Sequence, residues 1–241
     1  MFKGFARWIL IPITSLGRMR IVIAGGHGQI ALHLERGLAA RGDTPVGIIR
    51  NPAHAEDLRA AGVEPVVLDL ESATAEQVRD VVRGADAVVF AAGAGPGSGA
   101  ARKLTVDRDA AALLADGAEL AGVRRYLMIS AMNADITPPP EMDETFATYL
   151  RAKSAADADI RGRDLDWTVL RPGALTNEPA TGRVTIAEKL PRGAITREDV
   201  ALVLLALLDA PETIHRQVEV TAGDVPVNEA VAQLAHQGDQ H

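Results

Sequence analysis

Apolar residues along this chain follow two alternating rhythms. Continuous apolar runs of strand length recur at Arg20 to Ala24, Pro45 to Ile49, Glu64 to Leu68, Ala85 to Ala91, Tyr126 to Ile129 and Trp167 to Leu170. Runs of this kind suit strands covered on both faces. Between them lie longer stretches with apolar positions three and four apart, at Ile30 to Arg41, Ala55 to Ala61, Glu76 to Val82, Arg102 to Ala121 and Thr145 to Ile160. These predict helices. A repeated strand–helix–strand order predicts parallel pairing with right-handed crossovers. The expected fold class is α/β, a doubly wound, mostly parallel sheet with helices on both faces.

The alternation ends at Gly173. Short β-like pieces at Val184 to Ile186 and at Ala194-Ile195 predict that residues 174–195 form a small C-terminal substrate cap. Thr196, with Asp199 three residues on, predicts the start of an apolar helix over Val200 to Leu208. Nothing resembles an interdomain linker, so residues 19–241 are expected to be one domain. Residues 1–18 precede the first strand, and their longest uncharged run, Trp8 to Gly17, contains Pro12 and is too short to span a bilayer. They are expected to be a disordered leader or the product of an early start before Met19, with a membrane-touching amphipathic segment as the alternative.

Composition narrows the function classes. A chain of 241 residues with 47% hydrophobic content can bury a sizeable core. The net charge of −7, with both signs interspersed, gives no electrostatic footprint for nucleic acid. No stable membrane insertion is expected. Cysteine is absent, which removes disulfides and thiolate chemistry and fits a reducing compartment, so a cytoplasmic location is expected. The six histidines include no pair four apart and no adjoining carboxylate set, so no metal is expected.

Candidate chemistry starts with GGHGQIA after the first strand. It reads as GxxGxxA through Gly25, Gly28 and Ala31, or as GxGxxA through Gly26, Gly28 and Ala31. Either reading lets Gly25, Gly26, His27, Gly28, Gln29 and Ile30 cradle a diphosphate at a helix N-terminus, where free N–H groups and the dipole favour anions. The plain alternative is a strand-to-helix turn. The second strand ends in Arg50, where an NAD-preferring site usually has a carboxylate. A guanidinium there suits a 2′-phosphate, so NADP(H) is expected in preference to NAD(H), unless Arg50 is simply a solvated charge. Asp69 and Leu70, ending the third strand, are placed for the adenine edge. Ala91, Ala92 and Gly93 are small enough to let a cofactor lie against the sheet. The run GAGPGSG, Gly93 to Gly99, lacks the Gly-Lys-Ser/Thr ending of an ATPase phosphate loop and predicts a mobile loop beside the cofactor.

YLRAK, Tyr149 to Lys153, puts a phenol and an ammonium on one helix face. A neighbouring cation stabilises a phenolate, which suits proton exchange with a carbonyl or hydroxyl. With two tyrosines and four lysines in the chain, chance pairing at this spacing is rare. Cofactor ribose binding or surface solvation without turnover is the alternative. Pro138 to Pro140, with Glu141, Met142 and Phe146, form either a lid or a solvated connection before this helix.

GGHGQIA, Arg50, Ala91-Ala92-Gly93, YLRAK, Leu170-Arg171-Pro172-Gly173 and Arg197 to Ala201, in this order, resemble the atypical and extended short-chain dehydrogenase/reductases. The nearest branch is the compact NAD(P)H-binding, NAD-dependent epimerase/dehydratase-like one. The resemblance covers about residues 19 to 225 and implies an NAD(P)-binding Rossmann fold. It implies Tyr149 as catalytic acid/base, Lys153 as ribose ligand that lowers the tyrosine pKa, and Ser130 as the hydroxyl steadying substrate oxygen. It also places Pro172 and Gly173 beside the nicotinamide. Family members commonly carry two adjacent hydroxyl residues after this strand, whereas Ser130 is followed by Ala131. The expected function is an NADPH-dependent oxidoreductase of a small carbonyl or quinone-like molecule, acting as monomer or homodimer. A non-catalytic NADP(H) redox sensor and a nucleotide-sugar epimerase/dehydratase are the alternatives.

Overall fold

The computed structural model describes residues 18–95 and 97–236. The N-terminal half follows the predicted rhythm: β1 (Arg20–Ala24), α1 (Gln29–Ala40), β2 (Thr44–Ile49), α2 (Ala55–Ala60), β3 (Glu64–Val67) and α3 (Ala75–Val82). It continues through β4 (Ala87–Phe90), α4 (Gly99–Leu104), α5 (Ala110–Ala121), β5 (Arg125–Ile129), α6 (Glu144–Arg161) and β6 (Asp166–Pro172). Then come β7 (Ala174–Thr176), β8 (Arg183–Ala187), β9 (Ala194–Thr196), α7 (Arg197–Leu208), β10 (Arg216–Ala222), β11 (Val225–Pro226) and α8 (Val227–His236).

The main sheet has nine strands in the order β11-β8-β10-β6-β5-β4-β1-β2-β3. From β3 to β10 every neighbouring pair is parallel, while β8 and β11 add on antiparallel at the far edge. This is the Rossmann-like α/β architecture, with the chain reversing its direction of growth between β1 and β4. Alternate residues of β1 feed two cores. Ile21 and Ile23 pack with Leu34 and Leu38 of α1 and with α7 and α8. Val22 and Ala24 face the other way, onto Val78 of α3, Leu114 of α5 and Ile160 of α6. Burial on both faces explains why β1 carries no polar side chain after Arg20.

Two features depart from the sequence expectation. The helix expected over Arg102 to Ala121 is interrupted at Thr105–Asp109 by a widened, π-helical turn. An alanine-rich stretch carries no sequence break there, yet the turn rotates Asp107 into the interior, where it is 1% exposed. The predicted β piece at Val184 to Ile186 does not stand over the substrate side. It is β8 of the main sheet, whose Val184 and Ile186 alternate with exposed Arg183 and Thr185 and join the core beneath α7 and α8. Among the described residues, β7 and β9 pair apart from the main sheet, as a two-stranded parallel ribbon. Among the described residues, no helix is long and apolar enough to cross a membrane. The expectation for the leader lies outside the described residues, except at Arg18.

Candidate functional site

β1 ends where the chain must turn within the thickness of a backbone. Gly25 has φ +82°, and a Cβ on it would lie 2.6 Å from Ala92 Cα. A Cβ on Gly26 would lie 2.7 Å from Gly47 Cα. The two readings of the motif are therefore both required sterically, for different reasons: Gly25 against β4's extension and Gly26 against β2. Gly28 stands in extended conformation as the N-cap of α1, its N–H donating to Gly25 O at 2.8 Å. No side chain caps α1 and no acidic residue occupies its first turn, so Gln29, Ile30 and their neighbours present unclaimed N–H groups with the positive end of the helix dipole. A glycine cradle that a Cβ would fill, beneath an uncapped helix, fits a diphosphate. His27 lies in the same turn and lines the cavity above it. Its Nε2 meets Asp57 Oδ2 at 2.8 Å and its ring stacks on His54 with centroids 3.7 Å apart.

A cavity of about 350 Å³ opens at the C-terminal ends of β1 to β4, lined by Gly25, Gly28, Arg50, Asp69, Leu70 and the Ala91–Gly93 floor. At its rim two guanidinium groups converge on one carboxylate. Arg50 Nη1 donates to Glu71 Oε2 at 3.0 Å and Arg102 Nη2 to the same oxygen at 2.7 Å. Thr105 Oγ1 donates to Glu71 Oε1 at 2.7 Å. The hydrogen bond from Arg102 is the main reason that the Glu71 carboxyl lies below its usual range. Asp69 shapes the turn by accepting from the Glu71 N–H at 3.0 Å. Arg102 and Glu71 carried no sequence signal: one follows a glycine-rich loop and the other sits just past a strand end.

A second cavity, of about 490 Å³, lies at the ends of β5 and β6 against α6, and Ser130, Tyr149, Pro172 and Gly173 line it. Since β5 neighbours β4, the two cavities occupy the same edge of the sheet. Ser130 is 4% exposed and donates to Asp157 Oδ2 at 2.9 Å. That oxygen also accepts from Arg171 Nε at 2.9 Å and Nη2 at 2.8 Å. Burial pushes the Asp157 carboxyl up, and the contacts from Ser130 and Arg171 pull it partly back.

The electrostatics of YLRAK differ from the expectation. Lys153 is 3% exposed; its Nζ donates to Ile129 O at 3.0 Å and pairs with Asp107 Oδ1 at 3.4 Å. Its charge is thus answered by the carboxylate that the π-turn brings inward. Tyr149 is pushed well above the usual tyrosine value, by burial first and then by the Asp107 and Asp157 carboxylates. The direction is opposite to the expected lowering: burial and the two carboxylates set it, and the Lys153 ammonium is engaged by Ile129 O and Asp107. The cation over the Tyr149 ring is Lys103, 5.4 Å from the centroid, whose Nζ donates to Gly95 O at 2.7 Å. Met142 from the proline-rich loop and Phe146 from the first turn of α6 also line the second cavity, as does Asn133, held at φ 62°. Among the described residues no group of three or more His, Asp or Glu is placed to hold a metal ion.

Similarity to known proteins agrees with this architecture. The NAD(P)H-binding family matches over residues 25–211. The uncharacterized sugar epimerase YhfK of Bacillus subtilis strain 168 is 36% identical over 217 residues, 90% of this chain and 100% of its own. A Bacillus halodurans structure, proposed to be an NAD-dependent epimerase/dehydratase, superposes with a TM-score of 0.82 at 35% identity, over 89% of this chain and 99% of that one. The oxidoreductase YlbE of Lactococcus lactis superposes with a TM-score of 0.79 at 27% identity, over 92% and 100%. The cradle, the sheet order and these matches converge: the chain belongs to the NAD(P)H-binding family, which indicates a nicotinamide cofactor.

Proposed function

We propose that the protein is an NADPH-dependent oxidoreductase that reduces a small carbonyl or quinone-like compound. The observation that carries the reading is the convergence of Arg50 and Arg102 on Glu71 at the rim of the first cavity, on the same sheet edge as Tyr149 and Ser130. Two guanidinium forks around one oxygen anion form a seat that a 2′-phosphate can take over from the carboxylate. The glycine turn and the N-terminus of α1 would hold the diphosphate, Asp69 and Leu70 the adenine, and Pro172 and Gly173 the nicotinamide side. When bound, the nicotinamide supplies the hydride.

The remaining chemistry belongs to the chain. Tyr149, kept protonated by its buried, doubly acidic surroundings, donates a proton to the substrate oxygen as negative charge develops there. The raised value keeps the proton on Tyr149 until negative charge develops on the substrate oxygen, and transfer then runs downhill because an alkoxide is a still stronger base than the phenolate. Ser130 gives its own proton to Asp157, so it serves as acceptor and orients the tyrosine or a substrate hydroxyl. Lys153 and Asp107, a neutralised buried pair, fix the floor of α6 beneath the tyrosine.

The names of the relatives favour a second reading, a sugar-nucleotide epimerase or dehydratase. The second cavity sets Ser130, Asn133, Tyr149, Arg192 and Arg197 among Met132, Ile136, Met142, Phe146, Leu150 and Leu175, and that largely apolar wall suits a compound with an apolar body better than a sugar, whose hydroxyls each need a polar partner. Tyr149→Phe tests the reductase. Consumption of NADPH with a small quinone or aldehyde should fall at least a hundredfold while NADPH affinity is retained. Unchanged turnover in the variant would remove the proposed role of Tyr149.

A further inference from the structure

The second cavity has a charge pattern that the proton-transfer roles leave unused. In a chain of net charge −7, no carboxylate among the described residues lines this cavity, and the charged groups that line it there are Arg192 and Arg197. Most arginines in the molecule are answered by acids, as Arg50 and Arg102 are by Glu71 and Arg163 by Asp116, Glu119 and Asp159. Arg197 instead donates to the neutral amide oxygen of Asn177 at 2.6 Å. Among the described residues, Arg192 has no side-chain partner.

The segment carrying Arg192 is held in place. Glu219 is fully buried and accepts from Leu190 N at 2.8 Å and from Lys189 Nζ at 3.0 Å. Gly193 O accepts from Ala174 N at 2.9 Å, and a Cβ on Gly173 would lie 2.4 Å from that oxygen, so the two segments touch backbone to backbone. Arg197 is the first residue of α7, and the acids that follow it, Glu198 and Asp199, are turned to the backbone N–H groups of Ala180, Thr181 and Gly182. Two guanidinium groups at one side of an apolar cavity, Arg197 held by Asn177 and Arg192 carried on an anchored backbone, are a poor match for a neutral ligand and a good one for a carboxylate with an apolar body.

We propose that the cavity takes a substrate carrying a carboxylate on an apolar or aromatic body, with Arg192 and Arg197 as the clamp for that carboxylate. This rests on the reading of the cavity as the substrate site. The acid group would anchor the molecule while the carbonyl faces Tyr149 and Ser130. Asn133, in its left-handed conformation, adds an amide to the same wall.

The test is calorimetric titration of the full-length protein, with and without NADP+, using 2-naphthoate and its neutral counterpart 2-naphthalenemethanol. The proposal expects 2-naphthoate to bind at least about tenfold more tightly, as charge-assisted hydrogen bonds allow. The double variant Arg192→Gln/Arg197→Gln should erase that preference while binding NADPH as the wild type does, which also shows that it is folded. Equal binding of the two probes by the wild type, or a preference that survives in the variant, overturns the proposal. Absence of NADPH binding would instead overturn the functional reading, and the probe titrations without coenzyme would still decide on the clamp.

Discussion

Ser130 donates its hydroxyl proton to Asp157 Oδ2 at 2.9 Å, so the oxygen it presents to the second cavity can only accept. In the proposed reaction the substrate carbonyl would then receive its proton from Tyr149. Ser130→Ala is expected to lower the rate of reduction about tenfold and leave NADPH affinity unchanged, as steady-state kinetics and fluorescence titration would show. A loss of a thousandfold or more would mean that Ser130 itself donates the proton.

Asp157 also neutralises Arg171, whose side chain is 4% exposed and whose second partner, Asp135, is half exposed at 3.3 Å. Asp157→Ala leaves that guanidinium buried with little compensation. The expected destabilisation is about 3 kcal/mol or more, measured by urea unfolding. A change under about 1 kcal/mol would mean that water or Asp135 takes over the charge.

Glu71 competes for the two arginines that the 2′-phosphate is proposed to use. Glu71→Gln keeps the shape and removes the charge. NADPH should bind several-fold more tightly to the variant, and NADH should change little. Equal changes for both coenzymes would place Glu71 away from the 2′ position.

Glu35 lies on α1 below the glycine turn, fully buried, with neither carboxylate oxygen hydrogen-bonded among the described residues. Burial lifts it from 4.5 to about 8, and Arg36 offsets this only in part. Below 4.5 both folded and unfolded chains are protonated here. Between 4.5 and 8 only the folded chain holds the proton, so stability falls as pH rises and levels off above 8. Glu35→Gln should match the wild type near pH 5 and exceed it by roughly 3–5 kcal/mol near pH 9 in urea unfolding. A difference independent of pH would show that Glu35 is not the titrating group.

The sheet was legible in the sequence because burial on both faces leaves uninterrupted apolar runs at β1, β2 and β4. The turn at Gly25 to Gly28 was legible because its sterics admit little else. The C-terminal edge was not. β10 carries Glu219 in its middle, fully buried, which breaks the apolar run, and the reason lies in a loop contact with Leu190 that no local pattern encodes. The Tyr149–Lys153 spacing was readable, but its electrostatics depended on Asp107, which a π-turn more than forty positions away turns inward. Likewise Arg50 stood out at a strand end, whereas Arg102 reaches the same carboxylate from a helix thirty-one residues beyond it.

The central claim is a seat for the 2′-phosphate between Arg50 and Arg102, and parallel fluorescence titrations with NADPH and NADH test it most directly. The wild type should bind NADPH at least about tenfold more tightly, and Arg50→Ala/Arg102→Ala should lose that advantage while keeping its NADH affinity. Comparable wild-type affinities for the two coenzymes, or an NADPH preference that outlasts both arginines, would contradict it.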